Sequence, residues 1–281
     1  MKLTISTWAF EAIPLEGALA VCQSMGFKGV DIAGFHNRGR LSYEPDEVGT
    51  NPQKAADHLL PLLDKYGLHA VDFFPQFTNS FYERSMNDPD PAVRQNNIEM
   101  FKGIIKFCKL VKIPGITLLP GVEHLAFSRE KNLDVAGETF RKLVEIGTEA
   151  DLLVRFEPHM GSLTNTPELA LALIERAPGL TVTLDYTHFT LQYIEMGRCH
   201  KLIPYTSHVH VRPARDGRLQ TRHAEGTIDY VDIIKRLKAV NYQGCLSVEY
   251  VCSPWYDANQ LDTLTETVTT KEALEPYLGV A

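Results

Sequence analysis

The sequence predicts an α/β protein of one domain, residues 1–281, folded as a closed (β/α)8 barrel of the TIM-barrel type. Three observations predict it. Short apolar runs alternate with longer amphipathic segments from one end of the chain to the other. There are eight such runs, and 281 residues suit one large α/β core better than two small ones. Strict alternation of strand and helix implies a parallel sheet, and eight units at this length imply closure. The alternative is an open, doubly wound sheet, which normally starts on a Gly-rich turn. Here the first turn reads Ser6-Thr7-Trp8-Ala9-Phe10, and no G-x-G-x-x-G or phosphate-binding loop occurs.

Taken in order, the strands are expected to begin near Leu3, Gly29, Leu68, Gly115, Asp151, Leu180, Ser207 and Cys245. Between them lie helical patterns such as Ala136, Phe140, Leu143, Val144 and Gly147, whose spacing puts them on one face. A later helix carries Val231, Ile234 and Leu237, with Thr227 and Asp229 as candidate caps. Met25-Gly26, Tyr66-Gly67 and Tyr242-Gln243-Gly244 read as helix ends that turn into the next strand. Pro61 falls inside the helix expected over Asp57–Tyr66 and calls for a kink or a late start there.

Composition narrows the function. A formal charge of −7 argues against a nucleic-acid surface, which needs a basic stripe. The five cysteines are odd in number, irregularly spaced and without a C-x-x-C pair, which points to a reducing compartment and no disulfide framework. Cys199-His200 has no further metal ligand at suitable spacing and reads as a helix-end coincidence. No stretch approaches the ~20 apolar residues of a membrane span, and Met1–Ser6 lacks the apolar run of a signal peptide. A cytoplasmic location is expected.

The last four strands carry the chemistry. Side chains alternate faces along a strand, so Val154 and Phe156 oppose Arg155 and Glu157, and Val182 and Leu184 oppose Thr181, Thr183 and Asp185. In the same way Val209 and Val211 oppose His208, His210 and Arg212, and Leu246 and Val248 oppose Ser247 and Glu249. The apolar faces must meet the helices, so the polar faces point inwards. Each ends in Glu157, Asp185, His210 or Glu249 at the C-terminal mouth, where barrel active sites are built. Three carboxylates gathered there would repel one another unless protonated or bound to a cation. Oxygen-rich ligation with one imidazole suits Mn²⁺, Mg²⁺ or Co²⁺ better than Zn²⁺. One divalent ion held by Glu157, Asp185, His210 and Glu249 is therefore expected. Asp151, six residues before Glu157, competes as the first ligand but would enter at the strand's start.

These segments resemble a known family. Phe156-Glu157-Pro158-His159-Met160-Gly161, Asn165-Thr166-Pro167-Glu168, Leu184-Asp185-Tyr186-Thr187-His188, His208-Val209-His210-Val211-Arg212 and Tyr242–Glu249 are similar to the xylose-isomerase-like barrels, the sugar phosphate isomerase/epimerase family. The likeness is strong over 115–250 and holds in layout over 1–114. It implies that the same four residues bind the metal. Two departures stand out: the Glu-x-x-Asn-Arg run of ketose 3-epimerases is Glu157-Pro158-His159-Met160-Gly161 here, and their Arg six residues past the ligand His is Asp216, with Arg212 and Arg215 nearby.

The expected activity is proton transfer next to a carbonyl of a small sugar-like substrate through an enediolate, isomerising or epimerising it, with Glu157 and Glu249 as catalytic acid and base. A dehydratase or decarboxylase on a keto-sugar or sugar acid is the alternative. An apurinic-site DNA endonuclease is a distant one, since the Asp-x-His pair its zinc site needs is missing after His210, where Asp216-Gly217-Arg218 follows. His188, Arg212 and Trp8 are candidate substrate-binding residues. His208 reads as a hydrogen-bonded core histidine, and Phe35, His36, Phe73, Phe74 and His124 as rim. No Lys/Arg cluster or glycine nest suggests a phosphate cradle. A homo-oligomer is compatible with the sequence; a nucleic-acid or membrane partner is not expected.

Overall fold

The computed structural model describes residues 1–279. Eight parallel strands, β1 Lys2–Ser6, β2 Gly29–Phe35, β3 His69–Gln76, β4 Gly115–Leu118, β5 Leu153–Phe156, β6 Thr181–Asp185, β7 Thr206–Val211 and β8 Cys245–Val248, form a barrel in sequence order. It closes where Lys2 to Ile5 of β1 pair with Cys245 to Val248 of β8. The expected eight strands are thus all present. Strand five starts later than expected, at Leu153, because Asp151 takes a left-handed turn (φ 59°) after the preceding helix.

Ten α-helices are found among the described residues: α1 Leu15–Ser24, α2 Pro45–Thr50, α3 Pro52–Tyr66, α4 Pro91–Val111, α5 Arg129–Glu149, α6 Pro167–Arg176, α7 Thr187–Thr190, α8 Met196–Cys199, α9 Tyr230–Ala239 and α10 Thr263–Leu278. Their termini show how the chain encodes them. Asp90, Ser128, Thr166, Asp229 and Asp262 each accept a bond from an N–H of the first turn, which satisfies donors the helix leaves open. Of the two cap candidates of α9, Asp229 serves; Thr227 bonds to the Ala214 carbonyl instead. Gly67 ends α3 in the left-handed conformation (φ 60°). The third expected glycine stop differs: α9 ends at Ala239 and Asn241 makes the left-handed turn (φ 56°). Gly244 is small for another reason, since a Cβ there would lie 2.6 Å from the Ser207 carbonyl oxygen.

Pro61 causes no late start. Its helix begins earlier than expected, with Pro52 in its first turn, and runs through Pro61 to Tyr66. The bond lost is the one to the Asp57 carbonyl, at an exposed position. The apolar core lies between strands and helices, with Val154, Phe156, Val182, Leu184, Val209, Val211, Leu246 and Val248 facing the helices as the alternation requires. All five cysteines are free, and no helix is long and apolar enough to cross a membrane.

Inside the barrel the side chains are polar. Arg155 pairs with Asp72 and donates to Ser207 Oγ, and Asp31 accepts from His208 at 3.1 Å. A Cβ on Gly115 would lie 2.3 Å from the Arg155 guanidinium, so that glycine makes room for it. Burial outweighs Arg155 and raises the Asp72 pKa to about 6. The ionised carboxylate is therefore a cost of folding that grows as pH rises from the unfolded value of 3.8 through 6. Arg155→Met is expected to cost about 3–5 kcal/mol at neutral pH. Without the guanidinium the Asp72 pKa climbs further, so urea titrations should show a larger deficit at pH 8 than at pH 5. A pH-independent deficit would contradict the pairing.

Candidate metal centre and active site

The four candidate ligands meet at the C-terminal mouth. Asp185 is the last residue of β6 and is paired across the sheet with His210 of β7. Glu157 and Glu249 each lie one residue beyond their strand, and their N–H groups continue the ladder to Leu118 and Val211. The alternation of faces that selected these residues thus holds at every one. One donor atom from each lies within 4.8 Å of the others, and all four are buried. His210 Nδ1 is 2.7 Å from Glu157 Oε1 and 3.4 Å from Glu249 Oε2.

Neighbours hold the carboxylates in place. Trp8 Nε1 donates to Glu249 Oε1 at 2.9 Å, and the Thr187 N–H donates to Asp185 Oδ1 at 2.8 Å. Arg212, buried on the same face as His210, donates to Asp185 Oδ2 and Glu249 Oε2, both at 2.9 Å. Its own backbone is clamped by Tyr230 Oη, which accepts from the Arg212 N–H and donates to its carbonyl. Arg212 is thus an ion-pair partner of two candidate ligands as well as part of the cavity wall.

The electrostatics of the cluster favour a cation. Burial raises the Glu157 pKa to about 7, against the pull of His210 and with added repulsion from Glu249 and Asp185. Burial likewise raises Glu249 above the ordinary carboxylate range, with His210 and Arg212 opposing and Asp185 adding to the rise. For His210, burial disfavours the charged form, yet Glu249, Asp31 and Glu157 prevail and hold it well above the usual imidazole value. Two glutamates that ionise reluctantly, gathered with Asp185 around one imidazole, have the donor chemistry of a divalent-ion site of mixed O and N character.

Glu157 and Glu249 line a cavity of about 310 Å³, at the small end of the ~300–1,000 Å³ of ligand sites. Asp185 and His210 lie behind them. Trp8 lines the same cavity and packs against Phe35 (5.2 Å between rings) and Phe74 (5.9 Å). Across from these aromatics stand His188 and His159, whose rings are 3.8 Å apart. His188 Nε2 is 3.4 Å from Asp185 Oδ2. Burial lowers both histidines, His159 to about 4 and His188 well below its usual value, with neighbouring cations adding to the effect. Arg38 reaches the rim already paired with Glu11.

Other expectations are corrected. His36 bonds Glu44 at an exposed position, and His124 bonds Ser85; neither lines the cavity. Phe73 points outwards against Phe107 because Asp72 and Phe74 take the inward positions of β3. Asp151 is exposed at the opposite end. As expected, His208 is buried one step deeper than His210; His200 bonds Tyr186 Oη. Asp31, Asp72 and His159 were missed as site or interior residues. The signal for the first two was present: each is a lone acid within an apolar run, Val30-Asp31-Ile32 and Val71-Asp72-Phe73.

A family model described as xylose isomerase-like TIM barrel matches residues 19–275. The chain belongs to that family. Among solved structures it is similar to D-psicose 3-epimerase with D-tagatose from Clostridium cellulolyticum H10, at TM-score 0.77 and 15% identity over 100% of both chains. It is also similar to a probable 3-DHS dehydratase of petrobactin synthesis from Bacillus anthracis, at 0.70 and 18% over 97% of this chain and 99% of that one. A third is the IOLI protein with a binding zinc atom, at 0.73 and 17% over 100% of both chains. At these identities the structural likeness speaks for the fold.

The Arg212 pairs yield a prediction. Arg212→Met leaves Asp185 and Glu249 without their buried cation, so the metal-free chain should lose about 3–5 kcal/mol. Saturating Mn²⁺ should restore most of the loss by supplying the missing charge. Thermal melts in chelator and in MnCl₂ test this; a variant that melts like wild type in chelator contradicts it.

Proposed function

We propose that the protein is a divalent-metal-dependent sugar isomerase or epimerase that moves a proton at a carbon next to a carbonyl. One observation carries this reading. Of the four clustered residues, Glu157 and Glu249 are the two that line the cavity, and both have pKa values raised above the ordinary carboxylate range. A carboxylate whose pKa is raised accepts and returns a proton more readily at working pH. Glu157, Asp185, His210 and Glu249 would hold the ion, and Mn²⁺, Mg²⁺ or Co²⁺ fits three oxygens and one nitrogen better than a structural zinc. When bound it would stabilise negative charge on the substrate's oxygens.

The chain's own residues supply the rest. One glutamate takes the proton and the other returns it, to the opposite face for an epimer or to the neighbouring carbon for an isomer. Trp8, Phe35 and Phe74 offer an apolar wall of mutually tilted rings to a sugar ring or chain and would exclude water from the reacting carbon. His188 and Arg212, which line the cavity, would bind substrate oxygens. Arg38 and Arg212 are both engaged by carboxylates, which supports a substrate without a phosphate group. The D-psicose 3-epimerase that shares this fold was crystallised with D-tagatose, and a ketose is the substrate class proposed for this chain too.

A second reading has an observation of its own. His159 and His188, uncharged through burial, lie beside Glu157 and would suit a proton acceptor, leaving Glu157, raised by burial to about 7, to donate to a leaving group. A dehydratase or decarboxylase on a keto-sugar or sugar acid would use them, in line with the fold shared with the dehydratase. Product analysis on ketoses and keto-acids separates the two, and incision of an abasic oligonucleotide is the control for a nuclease.

Two experiments test the main reading. Purified protein should bind about one divalent ion per chain, and chelation should abolish turnover until Mn²⁺, Mg²⁺ or Co²⁺ is returned; full turnover in verified metal-free protein ends the proposal. Glu249→Gln keeps size and one oxygen donor while removing basicity, so turnover should fall by a factor of ~10²–10⁴ with metal content retained. Solvent deuterium incorporation next to the carbonyl should fall in parallel, or persist without product if Glu157 abstracts first. Near-normal turnover of this variant with metal bound rules out the two-glutamate scheme.

A further inference from the structure

The two ring nitrogens of His210 meet different surroundings. Nδ1 faces Glu157 and Glu249 at 2.7 and 3.4 Å. Nε2 is buried without a hydrogen-bond partner, and Asp31 Oδ2 lies 3.6 Å away from it. A neutral imidazole that offers the Nδ1 lone pair to an ion carries its proton on Nε2. A buried N–H of that kind needs an acceptor, and metal-binding histidines generally find one in a carboxylate or carbonyl.

We propose that Asp31 is the positioning residue that takes the Nε2 proton of His210 in a hydrogen bond, fixing the ring so that Nδ1 is presented to the ion. The inference rests on the metal reading above. Asp31 is fully buried in β2, on a strand that supplies none of the four ligands. Ser6 Oγ and His208 Nε2 anchor its Oδ2 at 3.2 and 3.1 Å, while Oδ1 has no partner. The carboxylate therefore has acceptor capacity left, and its Oδ2 stands 3.6 Å from Nε2, about half an ångström beyond hydrogen-bond distance. A role confined to balancing His208 would leave His210 Nε2 buried and unsatisfied.

The test uses the whole protein labelled with ¹⁵N-histidine and loaded with Zn²⁺ as a diamagnetic probe. Long-range proton–nitrogen spectra should show His210 bound through Nδ1, with a slowly exchanging proton on Nε2. Asp31→Asn should weaken Zn²⁺ and Mn²⁺ binding, measured by competition with a chromophoric chelator, by ~10–100-fold, with the circular dichroism spectrum unchanged. Binding through Nε2, or an Asp31→Asn affinity within twofold of wild type, overturns the role of Asp31 while leaving the metal reading intact. A wild-type chain that binds neither ion overturns both. If Asp31→Asn does not fold, the wild-type spectrum alone decides, since the ligating nitrogen is read without any variant.

Discussion

The structure depends on one constraint: acidic groups gathered inside a closed barrel must find positive charge or protons. Glu157, Asp185 and Glu249 converge where water is scarce, so each unit of negative charge left uncompensated costs several kcal/mol. Arg212 and His210 supply part of the compensation through direct contacts. The remainder shows as the reluctance of Glu157 and Glu249 to ionise. On the proposed function, a divalent ion would supply the missing charge and the two glutamates would carry the proton.

The same constraint reaches downwards through the barrel. Below the mouth, Asp31 meets His208, and lower again Asp72 meets Arg155. These pairs, with Thr117 bonded to Thr183 and Thr181 to Ser207, replace the branched apolar filling common in such barrels. His208 anchors Asp31, and Asp31 approaches His210. Directional bonds set the ring angle of His210 more sharply than apolar packing would.

The wall of the cavity is divided by chemistry. Trp8, Phe35 and Phe74 form an apolar side, and the glutamates, His188 and Arg212 a polar one. Trp8 joins the two, since its ring packs on the aromatics while its N–H holds Glu249. That division suits the substrate class proposed above, with hydroxyl oxygens along one edge and C–H groups on its face.

How much was legible in the sequence follows from the range of each interaction. Strand and helix periodicity are local, so the eight strands, their faces and the four residues at their mouths could be read directly. The alternation rule alone placed Glu157, Asp185, His210 and Glu249 on one side of the sheet, and family resemblance pointed to the same four. Asp31 was equally visible as an acid in an apolar strand, but its partners Ser6, His208 and His210 lie 25 or more residues away. The rim was least legible, because loop residues such as His36 and His124 have no period that fixes their direction. Closure of β1 on β8 brings Trp8 to Glu249 across 241 residues. Only the tertiary structure decides which of Arg212's donors meet Asp185 and Glu249, because ion pairing depends on distance in space and sequence spacing records distance along the chain.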